Sequence, residues 1–153
     1  MLIMNIKQSG NRNWLNVLVM LILLISMTAC AGLNDWTIDD LPGEGYAIMR
    51  INGQDIALVK SERKVIERYI VAYSYDTRYI GLQRIPIDLA YNEYFDVHDL
   101  DFSKLEYYLV DSQTEVIYGP CTQDEYAAYL EEFNIPEMTK WKLTNSELGG
   151  KLK

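Results

Sequence analysis

Residues 46–59 read YAIMRINGQDIALV and carry the clearest structural signal in the chain. Two runs of strand-forming residues flank Asn52-Gly53. Asn-Gly accepts the positive φ angles of a type I′ turn, and it is the strongest short-range signal for a hairpin. The sequence therefore predicts a β-hairpin with strands over residues 46–51 and 54–59.

Two further hairpins are predicted downstream. Their strands are rich in aromatic and β-branched residues, which favour extended structure, and they span residues 69–75, 79–85, 105–110 and 115–118. Asp76-Thr77 supplies the first turn, residues 111–114 supply the second, and Pro86 ends a strand because it cannot donate to a ladder. Residues 61–68 are predicted to form a loop or a short helical turn.

One α-helix is predicted over residues 123–133. Thr122 and Glu125 have the spacing of a capping box, in which each side chain bonds the other residue's backbone amide. Apolar side chains recur at helical spacing and form one stripe, which consists of Tyr126, Tyr129, Leu130 and Phe133. Asn134 and Pro136 then end the helix. We expect the stripe to pack on one face of the sheet.

These elements predict an α+β fold for residues 46–145. Its sheet is expected to be a single antiparallel β-meander of about five or six strands, built from the three hairpins, because that is a typical sheet size. The C-terminal amphipathic helix is expected to pack on that sheet. Residues 146–153 are predicted to be a flexible tail.

Residues 1–29 have the pattern of a secretory signal peptide. They contain Lys7 and Arg12 but no acidic residue, and residues 17–25 form an unbroken apolar run. Such a run is short for a hydrocarbon core of about 30 Å. A basic segment, a short apolar segment and small residues after it are typical of a cleaved export signal.

The end of this segment resembles the lipobox of bacterial lipoproteins. It reads SMTAC over residues 26–30, with Met27 where leucine is commonest. The resemblance implies cleavage after Ala29, acylation of Cys30 and a tether over residues 30–45. Two or more acyl chains give the stable anchoring that one chain cannot. An ordinary signal peptide or a single-pass anchor that happens to end in cysteine is the alternative.

Charge restricts the partners. The chain has 14 basic and 22 acidic side chains, a net charge of −8. Without Lys7 and Arg12 the net charge is about −10. A nucleic-acid partner is excluded because phosphate binding needs a basic surface. We expect the membrane partner to be held through acyl chains at Cys30, on the extracytoplasmic face of the cell membrane or, in a two-membrane host, of the outer membrane.

Several short motifs in the mature region resemble a known family. They are Asp35-Trp36, Leu41-Pro42-Gly43, Gly45-Tyr46, Tyr107-Tyr108-Leu109-Val110-Asp111, Tyr118-Gly119-Pro120, Glu125-Tyr126 and Ile135. Together with the lipobox they resemble a family of small, uncharacterised bacterial lipoproteins, classed as a domain of unknown function. The resemblance implies a lipid anchor and a single domain, and it supplies no catalytic or ligand-binding residue.

Two clusters could carry chemistry. Asp96, His98, Asp99 and Asp101 are weak candidates for a Ca²⁺ or Zn²⁺ site, but they lack the EF-hand order, so a solvated acidic loop is favoured. His98 and Cys121 could form a thiol dyad, although neither lies in a catalytic signature. No metal and no cofactor is predicted.

Twelve tyrosines follow residue 45. Tyrosine suits protein or glycan recognition, and it is also common on the wet face of a sheet. The second interpretation is favoured, because scattered surface aromatics need no special explanation.

The sequence therefore favours a lipid-anchored, non-catalytic accessory or binding module with a protein partner in the bacterial cell envelope. The alternatives are an acidic inhibitor or immunity-type lipoprotein that masks a cationic target and, less favoured, a small thiol-dependent or hydrolytic enzyme.

Overall fold

The computed structural model describes residues 35–51, 55–88, 96–136, 138 and 140–150. Within these ranges there are nine strands and one α-helix. The strands form two antiparallel sheets of four and five strands. Because helix and antiparallel sheet are both present, the α+β class predicted from the sequence is confirmed. No helix in the described ranges is both long and apolar enough to cross a membrane.

The first sheet contains four strands in chain order, which are β1 (Trp36–Asp40), β2 (Tyr46–Ile51), β3 (Asp55–Lys60) and β4 (Arg63–Ile66). Strands β2 and β3 pair without a register shift, from Tyr46 opposite Lys60 to Ile51 opposite Asp55. The predicted hairpin strands are therefore confirmed. Its turn at Asn52-Gly53 lies outside the described residues.

The second sheet has the order β8-β7-β6-β5-β9. Its strands are β5 (Ile70–Tyr75), β6 (Tyr79–Arg84), β7 (Glu106–Asp111), β8 (Val116–Cys121) and β9 (Lys142–Leu143). The two downstream hairpins are confirmed as β5–β6 and β7–β8. At the first turn the Asp76 carboxylate accepts bonds from the amides of Arg78 and Tyr79, at 2.7 and 2.6 Å.

The prediction of a single β-meander of five or six strands is wrong. Residues 63–66, within the predicted loop, form edge strand β4, and residues 36–40, within the predicted tether, form edge strand β1. The hairpin β2–β3 thereby belongs to a sheet of its own. The physical reason is that β3 must be covered on both faces, because its residues Asp55–Val59 are buried without interruption. One helix cannot supply the packing layers that both hairpin sheets require.

The main core lies between the two sheets. Its first-sheet side includes Ile48, Ile56 and Leu58, and its second-sheet side includes Ile80 and Leu82. All five side chains are fully buried. Burial of this many aliphatic side chains, each contributing about 1.5–3 kcal/mol, is the main stabilising term of the fold.

The opposite face of the second sheet is covered by helix α1 (Gln123–Glu132). Strand β7 shows the division, because Tyr108 and Val110 belong to the core between the sheets whereas Tyr107 and Leu109 pack with Tyr126 of the helix. Side chains that alternate along a strand point to opposite faces. The second sheet is thus buried on both faces.

Helix α1 begins at Gln123 as the sequence predicts and ends at Glu132, one residue before the predicted end. The capping box is present, with the Glu125 amide donating to the Thr122 hydroxyl at 3.3 Å and the Thr122 amide donating to the Glu125 carboxylate at 2.8 Å. Phe133 is the C-cap, and Asn134 follows with φ of 53°. The predicted stripe packs against β7 and β8 through Tyr126, Tyr129, Leu130 and Phe133.

Three 3₁₀ turns complete the described structure, at Val97–Asp99, Phe102–Lys104 and Ser146–Leu148. The last turn lies within the range predicted to be a flexible tail. Its Leu148 is fully buried in the core between the sheets. The ordered part of the chain therefore continues past residue 145.

A polar contact joins β1 of the first sheet to β5 and β9 of the second. The Lys142 ammonium lies 2.7 Å from the Asp39 carboxylate and donates to the Tyr75 hydroxyl at 2.9 Å, and the Tyr73 hydroxyl donates to Asp39 at 3.0 Å. Burial alone would raise the pKa of Asp39, but the bonds from Lys142 and Tyr73 outweigh it and lower the pKa. Burial and the Asp39 bond raise the pKa of Tyr73 to about 12.

A buried charge lies at the β7–β8 turn. The Asp111 side chain is 5% exposed, and its carboxylate accepts from Arg78 Nε at 3.0 Å and from the Gln113 amide at 3.0 Å. The bond from Arg78 is the largest cause that holds the pKa of Asp111 well below its usual range. Asp111 therefore fixes the turn and ties it to the β5–β6 turn.

We predict that Asp111→Asn lowers the free energy of unfolding at pH 7 by about 1–3 kcal/mol, because the buried carboxylate loses its charged hydrogen bonds whereas its partner Arg78, 41% exposed, can be solvated by water. The folded-state pKa is depressed, so this stability is present above the unfolded pKa near 4 and is lost as pH falls. Urea unfolding at pH 7 and pH 2.5 checks this. A difference between the two proteins that is as large at pH 2.5 as at pH 7 would contradict the assignment.

Candidate functional site

A cleft of about 700 Å³ lies between helix α1 and the second sheet. Its floor is one row of cross-strand neighbours on the helix-facing side of the sheet. Leu143 pairs with Ala72, Ala72 with Gln83, and Gln83 with Tyr107. All four line the cleft. Side chains paired across strands stand side by side, so four strands build one continuous surface.

The small side chain of Ala72 leaves room in this floor. The neighbouring positions carry larger groups, and the space above Ala72 opens towards the helix and the segment that follows it. The walls come from that helix and segment, and they are Gln123, Ala127, Leu130, Glu131, Ile135 and Met138. The cleft is therefore formed entirely by residues that follow β4.

Aromatic rings form one side of the cleft. The Tyr107 and Tyr126 ring centroids are 5.5 Å apart, and both rings contact Trp141, at 6.5 and 6.0 Å. Such distances are typical of favourable tilted and edge-to-face pairs. Burial raises the pKa of both Tyr107 and Tyr126, so both hydroxyls are protonated and neutral at physiological pH.

Gln83 supplies a polar group at the centre of the floor. The residue is 9% exposed, and its side-chain amide makes no hydrogen bond to any residue in the described ranges. Neither of its polar atoms is among the fully enclosed ones, so the amide reaches the space of the cleft. A buried amide without a protein partner is a hydrogen-bonding site for a ligand or for water.

The cleft carries little charge. Of the lining residues within the described ranges, Glu131 is the charged one. Lys142 stands between the lining residues Trp141 and Leu143, but its ammonium lies on the opposite face of the sheet, 2.7 Å from Asp39. Helix α1 carries four acidic residues and no basic one. The electrostatic environment of the cleft is therefore negative.

Gly81 sets the distance between helix and sheet. A Cβ at this position would overlap the Tyr126 hydroxyl and lie 3.2 Å from Met138 Sδ. The same hydroxyl donates to Met138 Sδ at 3.7 Å. The absence of a side chain at Gly81 thus allows Tyr126 to stand over β6 and to form the wall of the cleft.

The structure does not bring His98 and Cys121 together. Val97, beside His98, packs against the core between the sheets, whereas Cys121 packs against the helix-side core. The Cys121 thiol donates to the Tyr107 carbonyl at 3.2 Å. Burial and the nearby Glu125 charge raise the pKa of this thiol, which disfavours the nucleophilic thiolate.

The weak metal candidates have local structural roles. Asp96 accepts from the His98 amide at 2.9 Å and caps the first 3₁₀ turn. Asp101 accepts from the Ser103 amide at 3.1 Å and caps the next. In the ranges that the structure describes, no three histidine, cysteine, aspartate or glutamate side chains are grouped so as to hold a metal ion. The predicted cleavage and lipidation residues, Ala29 and Cys30, lie outside those ranges.

The favoured interpretation of the tyrosines as a wet sheet face is wrong. Of the ten tyrosines in the described ranges, none is exposed. Two of them line the cleft, and another two join the contact to Asp39 described above. The excess of tyrosine therefore belongs to the packing between layers and to the lining of the cleft.

Sequence reasoning missed the residues that build the floor. Ala72 and Gln83 are a small and a polar residue inside runs of strand-forming residues, and each marks a place where the sheet is not packed by a large apolar group. That signal was available. The pairing that sets Leu143 and Tyr107 beside them depends on long-range strand order, which the sequence pattern does not contain.

Comparison with family models gives one match, to the family described as a protein of unknown function, DUF3997, over residues 43–147. The chain belongs to this family. The matched range contains every residue that lines the cleft. Membership confirms the predicted resemblance to an uncharacterised domain family. A search of curated proteins and a search of solved structures each gave no match.

We predict that Gly81→Ala in this DUF3997 protein lowers the free energy of unfolding by about 1–3 kcal/mol, because the new methyl group overlaps the Tyr126 hydroxyl. Tyr126→Phe removes that hydroxyl, so the double variant should recover most of the loss. Thermal and urea unfolding of the wild-type protein, the two single variants and the double variant gives a double-mutant cycle. Strictly additive effects would show that the helix does not approach β6 at this point.

Proposed function

We propose that this DUF3997 protein is a lipid-anchored, non-catalytic binding module on the extracytoplasmic face of a bacterial membrane, and that the cleft between helix α1 and the second sheet is its ligand site. The cleft is the observation that carries the proposal. Its volume of about 700 Å³ falls within the range of roughly 300–1,000 Å³ that is usual for small-molecule sites.

The composition of the cleft supports binding. Such sites are lined mainly by apolar and aromatic side chains, with a few polar groups that fix the ligand's orientation. Here Tyr107, Trp141 and Leu143 supply apolar surface, whereas Gln83 and Glu131 supply polar contacts. The floor is made of paired strands, so the ligand meets a rigid surface that loses little entropy on binding.

A non-catalytic role is supported by the state of the best nucleophile candidate. The raised pKa of Cys121 and its bond to the Tyr107 carbonyl keep the sulfur as a thiol. Among the described residues that line the cleft, no nucleophile is paired with a base, and the acidic one is Glu131. General acid–base or covalent chemistry needs such positioned partners.

The lipid anchor is supported by the sequence of residues 1–30. The export-signal pattern and the lipobox-like SMTAC at residues 26–30 lie before the region matched by the family model, which begins at residue 43. An acyl chain at Cys30 would place the acidic domain beside the membrane, although anionic lipid would repel it. Anchoring would therefore depend on the acyl chains rather than on the protein surface.

We predict that the protein isolated from bacterial membranes begins at Cys30 and carries the added mass of acyl chains. Intact mass spectrometry of the membrane fraction measures this directly. Cys30→Ser should abolish the modification, whereas Cys121→Ser should leave it unchanged, since only the former thiol follows the lipobox-like sequence. An unmodified chain that still begins at Met1 would contradict the anchor without bearing on the cleft.

We predict that the cleft binds at least one of three small probes: benzyl alcohol, benzylamine or benzoate. Two-dimensional NMR of the ¹⁵N-labelled protein should show saturable shifts at the Gln83 side-chain amide and the Trp141 indole. Ala127→Phe places a ring in the cleft and should abolish these shifts. Ala128→Phe is the matched control, because Ala128 is exposed on the same helix and does not line the cleft. Shifts that survive Ala127→Phe, or no shift with any probe, would contradict the proposed site.

A further inference from the structure

We propose that the ligand of the cleft is a small organic ammonium cation, whose charged head lies against the rings of Tyr107, Tyr126 and Trp141 and near the Glu131 carboxylate. This inference rests on the proposed function, since it names the chemical class that the same cleft would take. Four observations carry it: the aromatic wall, the sign of the charge, the polar group of the floor and the position of Lys142.

The aromatic wall favours a cation. Three rings with centroid separations of 5.5–6.5 Å line one side of the cleft. The face of an aromatic ring is electronegative and attracts an ammonium group placed within about 6 Å of its centroid, and recognition of quaternary ammonium ligands by groups of rings uses this attraction. Tyrosine and tryptophan are the residues that contribute most to it.

The charge of the cleft selects the same class. Glu131 is the charged lining residue, and the helix that carries it also contains Asp124, Glu125 and Glu132 without any basic residue. An anionic ligand would meet this negative field in a partly enclosed space, where charges interact more strongly than in water. A cation is attracted by the same field, which also raises its local concentration at the cleft.

The ammonium group of Lys142, a cation close to the cleft in sequence, lies outside the cleft. Lys142 lies between two lining residues, and its ammonium contacts the Tyr75 ring at 4.5 Å and Asp39 at 2.7 Å on the other face of the sheet. Lys142 therefore does not occupy the aromatic wall, although it belongs to the edge strand β9 beside it. This leaves the rings of the cleft available to an external cation.

Gln83 adds a requirement on the rest of the ligand. Its amide stands in the floor, 9% exposed, and has no protein partner among the described residues. A ligand with a hydroxyl or carbonyl group a few bonds from its ammonium head would satisfy this amide. The cleft volume of about 700 Å³ accommodates such a molecule with space for an apolar substituent.

Three isosteric probes test the inference on the full-length chain. They are choline, 3,3-dimethylbutan-1-ol and 3,3-dimethylbutanoate, which have nearly the same shape but are positive, neutral and negative. NMR titration at the Trp141 indole should give a Kd for choline that is lower than that for the alcohol by at least about fivefold. The anion should bind most weakly.

Two variants with one matched control separate charge from packing. Glu131→Gln should weaken choline binding by about threefold and leave the alcohol unchanged, since a partly solvated carboxylate contributes modestly. Glu132→Gln should weaken choline binding less than Glu131→Gln does and leave the alcohol unchanged, because Glu132 does not line the cleft and acts on it only at longer range. Trp141→Leu, titrated at the Gln83 side-chain amide, should reduce the preference for choline over the alcohol, a ratio that a general loss of stability does not move.

The outcomes distinguish this inference from the function on which it rests. If the alcohol or the anion binds as tightly as choline, the ammonium assignment is overturned while the cleft remains a ligand site. If none of the three shifts the Trp141 indole, the ammonium assignment is also overturned, and the benzyl probes with the Ala127→Phe variant then decide whether the cleft binds any ligand.

Discussion

The fold depends on burying both faces of the second sheet. Strand β7 shows the constraint most directly, because Tyr108 and Val110 pack towards the first sheet and Tyr107 and Leu109 pack towards helix α1. Five of the six residues of this strand are buried, on alternating faces, so one packing layer cannot bury them all. The first sheet and the helix are the two layers that this strand requires, and the cleft lies where the second of these layers is incomplete.

The helix-facing side of the second sheet is incompletely covered because of the residues that lie on it. Gly81 allows the helix to approach β6 closely, whereas Ala72 near the sheet edge leaves a gap that the short strand β9 does not fill. The segment after the helix spans this gap with Met138 and Trp141 instead of a second helix. One face of the sheet therefore serves both as a packing surface and as the floor of the cleft, which is a single row of paired residues.

Local chemistry made part of this architecture predictable. The hairpin strands and the helix were correct because turns and caps are decided by adjacent residues, such as Asp76 at the β5–β6 turn and the Thr122–Glu125 capping box. Strand β4 was missed because Arg63 and Lys64 give it the charged character of a loop, although charges also protect exposed sheet edges. The number of sheets was wrong because it depends on which layers pack together to cover buried strands such as β3. Strand β9 was missed because its pairing joins Ala72 with Leu143, which are distant along the chain.

The candidate site was less predictable than the fold. The motifs that suggested chemistry, at residues 96–101 and at Cys121, have structural roles in turns and in the helix-side core. The site that the structure contains is made from residues with no motif, placed side by side by strand pairing. The proposal that it binds a ligand rests on shape, aromatic lining and charge, which exist only after the layers assemble.

A crystal structure of the protein grown with choline tests the central claim most directly, namely that the helix-facing row of the second sheet is a ligand-binding floor. The predicted result is a bound ammonium group within about 6 Å of the ring centroids of the aromatic wall, with its hydroxyl near the Gln83 amide. A structure in which Met138 and Trp141 close onto Ala72 and fill the cleft, with no ligand above the row, would contradict it.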